Sequence, residues 1–338
     1  MIRTALKAHR VNLPGYRLQH APFRRTTSSL GRTSANGCAR RNYSKPSSHE
    51  SLGVARALQD ADAPSTPSST LFEREFSLAD RVALVTGAHG GLGLEGALAF
   101  VEAGARAVYC VDIVSAPSAQ WAKVRDYAAR LKDKRGEGRL EYVCADVSDQ
   151  EKMWRLGETI GDREGRLDIC FASAGVVGDI AKSINVSAGP MEKVLGVNLC
   201  GAAYTAQAAA QQMIRFNKGG SIIVVSSIAG HGTVRALSSL PYDIAKAGVL
   251  QMARSFACEL APHGVRVNSI SPGIFRTPMA LPLYDAFPDV AKALEDANPM
   301  GRTAAPHEVR GVLSWLASDA SSFCTGTDIR IDGGHHAW

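Results

Sequence analysis

The sequence predicts an α/β chain, a single doubly wound parallel sheet with helices on both faces. Three observations predict it. From about Phe76 onward, short β-branched runs alternate with longer Ala-rich amphipathic stretches, the pattern of parallel strands joined by crossover helices. The short runs are apolar almost throughout, as strands covered on both faces require. A glycine-rich turn, Thr86-Gly87-Ala88-His89-Gly90-Gly91-Leu92-Gly93, joins the first strand to the first helix, where sheets of this kind turn tightly.

In chain order the expected strands are Val82–Val85, Ala107–Val111, Leu140–Ala145, Leu167–Ala172, Gly220–Val225, Val265–Ile270 and Asp328–Ile331. Between them, 3.6-residue periodicity predicts helices over Gly93–Glu102, Ser118–Asp133, Gln150–Arg163, Met191–Arg215 and Ala245–Leu260. One core of about 260 residues suits a Rossmann-type sheet.

The 338 residues carry a formal charge of +6, unevenly distributed. Between Met1 and His49 lie ten Lys and Arg and no Asp or Glu; beyond it 28 basic residues face 32 acidic ones. The folded part is therefore mildly acidic, and the basic balance gives no reason to expect nucleic acid. An Arg-rich, Ser/Thr-rich, acid-free N-terminus is the composition of a mitochondrial transit peptide, because a basic arm is drawn toward a negative-inside potential. Arg41-Asn42-Tyr43-Ser44 resembles a matrix-peptidase site cut between Tyr43 and Ser44. The expected division is a transit peptide over 1–45, a disordered Ser/Pro/Ala-rich linker over 46–75 and a folded domain over 76–338, with the mature protein in the mitochondrial matrix. No run is long and apolar enough to span a bilayer. Seven cysteines without C-x-x-C spacing fit a reduced compartment, and neither a zinc site nor a disulfide frame is expected.

Glycines at a strand-to-helix turn let backbone approach a pyrophosphate at the helix N-terminus. Asp112 closes the second strand about 20 residues further on. A carboxylate there accepts hydrogen bonds from the adenosine ribose and repels a 2′-phosphate, which favours NAD over NADP. Tyr242-Asp243-Ile244-Ala245-Lys246 sets Tyr and Lys one helical turn apart on one face. A phenol with a pKa of about 10 is a poor base at neutral pH. A cation from Lys246 favours the phenolate, so Tyr242 could take a hydroxyl proton while hydride leaves the same carbon, and return it to a carbonyl in reverse.

Taken in order, these motifs resemble the short-chain dehydrogenase/reductase family over about Leu78 to Gly334. The spacing T-G-x-x-x-G-x-G is that family's fingerprint, and it implies cofactor contacts from Gly87, His89, Gly91, Leu92 and Gly93. The resemblance implies that Asp146 and Val147 adjoin the adenine and that Ala174 and Gly175 lie against ribose. Ser173 stands where the family has an Asn that ties neighbouring strands. Within Ser226-Ser227-Ile228-Ala229-Gly230, Ser227 would bond the substrate oxygen, with Ser226 as the alternative. Asn198 would hold a water in a proton relay to Lys246. Pro272, Gly273, Ile274 and Thr277 would border the nicotinamide and pyrophosphate. NADP users of the family tend to place a basic residue at positions matching His89-Gly90 or Ile113-Val114; none occurs, which again favours NAD. The Ser227–Tyr242 interval is 15 residues, about two longer than is usual in the family, with the excess in His231–Leu240.

The implied protein is an NAD(H)-linked oxidoreductase of secondary alcohols and ketones, a homodimer or homotetramer as is common in the family. Phrases such as Arg266-Val267-Asn268-Ser269-Ile270-Ser271-Pro272-Gly273 are similar to fungal polyol and sugar dehydrogenases, which points to a polyol/ketose pair such as D-arabinitol and its pentulose. Two rivals remain: a 3-oxoacyl carrier-protein reductase, which usually pairs with NADPH, and a non-catalytic NAD-binding redox sensor, in which Tyr or Lys is typically lost. The stretch Pro278–Pro299, with Met279, Leu281, Leu283, Tyr284 and Phe287, suits either a lid over a small-molecule substrate or a packed amphipathic helix. His231, His335 and His336 lack metal-ligand spacing and read as surface or loop histidines.

Overall fold

A computed structural model describes residues 52–59, 69–131, 138–234, 238–281 and 288–338. The expected transit peptide lies outside the described residues. Seven strands form one sheet: β1 (Val82–Thr86), β2 (Ala107–Asp112), β3 (Arg139–Cys144), β4 (Ile169–Ala172), β5 (Gly220–Val225), β6 (Val265–Pro272) and β7 (Asp328–Ile331). Their order is β3-β2-β1-β4-β5-β6-β7, and each pairing is parallel. This is the single Rossmann-type sheet that the apolar runs predict. The order reverses between β1 and β4, so their C-terminal ends open a crevice.

The helices are α1 (Gly53–Gln59), α2 (Gly91–Glu102), α3 (Ala119–Ala128), α4 (Gln150–Glu164), α5 (Ala188–Leu195), α6 (Ala202–Phe216), α7 (Leu240–Leu260), α8 (Pro288–Asp296) and α9 (Arg310–Ala317). Side chains alternate across a strand, so each strand feeds two cores. Val82, Leu84, Tyr109, Val111, Ile222 and Val224 pack with α4, α6 and α7. Ala83, Val85, Val108, Cys110, Ile169 and Phe171 pack with α2, α3 and α9. Small residues let the helices close in: a Cβ on Gly157 of α4 would stand 2.7 Å from the Ala208 carbonyl oxygen of α6.

Two helix expectations are corrected. The continuous helix expected over Met191–Arg215 is interrupted by a π-helical segment, Gly196–Gly201, between α5 and α6. That wide turn holds Asn198, which is fully buried and bonded to Val176 on another segment; an inserted turn of this kind often marks a functional site. The helix expected over Ser118–Asp133 is shorter: the Ser118 hydroxyl caps it by accepting from Trp121 N–H, and α3 ends at Ala128. Within the stretch expected as linker, Gly53–Gln59 is α-helical and Leu71–Glu75 forms a π-helical turn.

Candidate active site

A cleft of about 660 Å³ runs along the C-terminal ends of the central strands. One end is built by the glycine turn. Gly87 takes a left-handed φ of +68°, and a Cβ there would lie 2.8 Å from Ala174 backbone. A Cβ on Gly93 would lie 2.3 Å from the Gly87 carbonyl oxygen. Only glycines allow β1, α2 and the end of β4 to meet this closely. The α2 N-cap, Gly90, offers no side-chain acceptor, so the first N–H groups of α2 stay available to an anion. Ser173 Oγ donates to the Thr86 carbonyl at 2.6 Å, so the strand tie that the family assigns to Asn is made here by a shorter hydroxyl.

Asp112 lies at the same end. Its carboxylate accepts from His89 N–H at 3.1 Å and, more weakly, from Val114 N–H at 3.4 Å. Tyr142 braces both neighbours: its hydroxyl donates to the Val114 carbonyl at 2.8 Å and lies 3.2 Å from His89 Nδ1. Glycine turn, helix N-terminus and carboxylate fit a dinucleotide: N–H groups for the pyrophosphate, Asp112 for the ribose.

At the other end stand Ser227, Tyr242 and Lys246. Tyr242 and Lys246 share one face of α7, as the i, i+4 spacing requires. Lys246 is only 3% exposed, and burial pulls its ammonium down to about 8. Its Nζ donates to the Val225 carbonyl at 2.8 Å and sits 5.5 Å from the Tyr242 ring centroid. Burial pushes the Tyr242 phenol up; a hydrogen bond with Ser227 acts against that rise, and the charge of Asp243 adds to it. From the protein's own groups the balance is upward, opposite to the direction expected from Lys246 alone. Ser226 also lines the cleft, but its hydroxyl proton is given to the Lys246 carbonyl at 2.8 Å, fastening β5 to α7. Ser227 Oγ accepts from Ala229 N–H at 3.1 Å and keeps its proton for another partner.

The cleft gathers Gly87, His89, Gly91, Leu92, Gly93, Asp112, Ser173, Gly175, Ser227, Tyr242, Lys246, Pro272, Gly273, Ile274 and Thr277. Four expected residues do not line it. Asp146 Oδ1 accepts both the N–H and the hydroxyl of Ser148, closing a local turn. Val147 is buried, packed where a Cβ on Gly201 would come within 2.6 Å. Ala174 supports Gly87 from behind. Asn198 accepts from Val176 N–H at 2.8 Å and donates to its carbonyl at 2.7 Å, and a Cβ on Gly175 would stand 2.9 Å from its Oδ1 and 3.7 Å from Lys246 Nζ, so it lies on the Lys246 side of the cleft wall.

The structure adds Val177, Ile180, Val234, Ser239 and Ala280 to the walls. Ser239 donates to Asp243 Oδ1 at 2.8 Å. Of the expected lid, Met279 lines the cleft while Leu283, Tyr284 and Phe287 lie outside the described residues. The later part of that stretch is the amphipathic helix α8, whose Leu294 packs with Ile228, Ala229 and Val234. Among the described residues no group of His, Cys, Asp or Glu could hold a metal ion.

Comparison with known proteins agrees with this geometry. Residues 87–336 match a family model described as Enoyl-(Acyl carrier protein) reductase. A sorbose reductase of Schizosaccharomyces pombe is 36% identical over 260 residues, 77% of this chain and 97% of that protein. An L-rhamnose-1-dehydrogenase of Scheffersomyces stipitis is 32% identical over 257 residues, 75% of this chain and 95% of that one. A solved short-chain type dehydrogenase/reductase from Mycobacterium marinum superposes with a TM-score of 0.71 at 33% identity, covering 78% of this chain and 98% of its own.

Gly93→Ala places a methyl against the Gly87 carbonyl and must open the turn. The Kd for NADH, followed by fluorescence titration, should rise about tenfold or more, about 1.4 kcal/mol. An unchanged Kd would show that the turn does not cradle the pyrophosphate.

Proposed function

The chain belongs to the short-chain dehydrogenase/reductase family, and we propose that it is an NAD(H)-linked oxidoreductase interconverting a secondary alcohol and its ketone, with a polyol/ketose pair as substrate. The observation that carries this is a single cleft with Asp112 and the α2 N-terminus at one end and Ser227, Tyr242 and Lys246 at the other. Bound NAD⁺ would supply the hydride acceptor and a positive charge. The chain's own groups supply the rest. Ser227 Oγ holds the substrate hydroxyl and Tyr242 Oη takes its proton. Lys246, fixed on the Val225 carbonyl, keeps a cation near the ring, and with the positive charge of the bound cofactor it would oppose the burial that raises the phenol. In the ketone direction Tyr242 returns the proton to the carbonyl oxygen.

Two features support NAD over NADP. Asp112 sits where a 2′-phosphate would meet a carboxylate. Among the described residues that line the cleft, Lys246 is the sole Lys or Arg, and it lies at the opposite end. The same features weigh against a 3-oxoacyl carrier-protein reductase using NADPH, and the assembled Ser227, Tyr242 and Lys246 weigh against a pure binding module. The sugar reading draws on the similarity to the sorbose reductase and the rhamnose dehydrogenase. Ser239 lines the cleft with its hydroxyl proton given to Asp243, which leaves its oxygen as an acceptor for a second hydroxyl of a polyol. D-Arabinitol is one such polyol. A homodimer or homotetramer and a matrix location complete the proposal, the latter from the acid-free N-terminus.

Tyr242→Phe should lower turnover of the preferred polyol by about 10²- to 10⁴-fold while NADH still binds; near-normal turnover contradicts the mechanism. Asp112→Ala should raise the KM for NAD⁺ and ease use of NADP⁺ in steady-state assays, and identical constants would reject the ribose contact. Sequencing of the protein purified from its source should start near Ser44; an intact Met1 would count against import.

A further inference from the structure

The fold brings His231 against the distant pair His335-His336. His231 closes the 3-10 turn Ile228–Gly230 that begins at Ser227. Its Nε2 lies 2.8 Å from Asp328 Oδ2 and 3.1 Å from Ser271 Oγ. Asp328 Oδ1 accepts the hydroxyls of Ser269 and Ser271, so that carboxylate is anchored to β6. The His231 ring meets His336 edge-on at 5.5 Å between centroids, and His336 meets His335 at 5.0 Å. His336 Nδ1 lies 3.0 Å from Asp332 Oδ2, and that carboxylate also accepts from the N–H groups of Gly334 and His336. Met300 N–H, a few residues past α8, donates to the Gly333 carbonyl.

The segment from Asp332 to His336 is thus a strap joining the ends of β6 and β7, the turn after Ser227 and the end of α8. That turn is tightly confined. A Cβ on Gly230 would lie 2.7 Å from Ser226 Oγ and 2.8 Å from the Lys246 carbonyl, so α7 blocks one side. On the other side the turn is held through His231. Ser227 Oγ accepts from Ala229 N–H inside this turn, so a shift of the turn re-aims the hydroxyl. Ile228 and Ala229 belong to one apolar cluster with Leu294, against which Tyr242 and Ile274 pack, which couples the same shift to the wall of the cleft.

We propose that His231, locked by Asp328 and backed by His336, is a positioning residue for Ser227, and that the C-terminal strap is part of the active-site frame. The proposal rests on Ser227 being the group that holds the substrate oxygen. His231 acts through the turn and touches neither substrate nor cofactor. Orientation errors of this size cost rate more than cofactor affinity, because the dinucleotide is held mainly at the Asp112 end.

The test uses the full chain in four variants, His231→Leu, His231→Gln, His336→Ala and Tyr242→Phe, with kcat, KM, NADH Kd and Tm measured for each. His231→Leu should lower kcat/KM for the alcohol about tenfold or more, chiefly in kcat, with the NADH Kd within about twofold of wild type. His231→Gln, whose amide can still donate to Asp328, should recover most of the loss. His336→Ala, a milder change, should fall between them. Unchanged kcat/KM in His231→Leu overturns the proposal, as does a Gln variant no better than Leu. A parallel fall in NADH affinity and Tm in all three histidine variants also overturns it, since that is general loss of structure. Turnover retained by Tyr242→Phe with the histidine effects intact would break the Tyr242 mechanism and leave the strap standing.

Discussion

The buried ammonium of Lys246 is the constraint around which the substrate end is arranged. A cation in an apolar interior needs a fixed partner, and the Val225 carbonyl at the end of β5 provides it. The bond ties the helix carrying Tyr242 to the strand that leads into Ser227. The Lys246 backbone carries the same tie further: its carbonyl accepts from Ser226 and leaves no room for a side chain at residue 230. A Cβ on Gly175 would lie 2.9 Å from Asn198 Oδ1, so that glycine is dictated by the Asn198 amide packed beside the cation. With burial drawing Lys246 down to about 8, its charge is held near the edge of physiological pH, where one further neighbour can decide its state.

What local chemistry decides was legible in the chain. Apolar runs bounded by turns reveal the five central strands, because strands buried on both faces carry little else, while the edge strands β3 and β7 are half-exposed and mix charged with apolar residues. The i, i+4 spacing placed Tyr242 and Lys246 on one face because helix geometry allows no other arrangement. What distant partners decide was not legible. The π-helical turn at Gly196–Gly201 depends on Asn198 bonding Val176, 22 residues away. The choice between Ser226 and Ser227 depends on which hydroxyl meets the Lys246 carbonyl. Asp328 lies 97 residues from His231, so no spacing rule could join them. The turn that Asp146 Oδ1 closes by accepting from the N–H and hydroxyl of Ser148 is local, and the spacing alone does not reveal it.

The two ends of the cleft differ in how firmly they are determined. The Asp112 end is built from strand termini and a helix N-terminus, rigid parts whose form follows from backbone geometry. The substrate end is built from the turn at 228–231, the N-terminus of α7 and the segment after Thr277, and loops of this kind carry specificity across a family. Ser239 and the strap from Asp332 to His336 are therefore the places where this chain's own substrate preference is to be sought.

Lys246 and a bound oxidised cofactor would together bring the Tyr242 phenol into a working range that burial alone denies it. Ultraviolet difference titration of tyrosinate in NAD⁺-saturated protein tests this without turnover, with the Tyr242→Phe protein identifying the signal. One tyrosine, missing in that variant, should ionise well below the ordinary value of about 10, and in Lys246→Met it should shift upward by about one unit or more. A Tyr242 signal that titrates at the same pH with and without the Lys246 charge would contradict the claim.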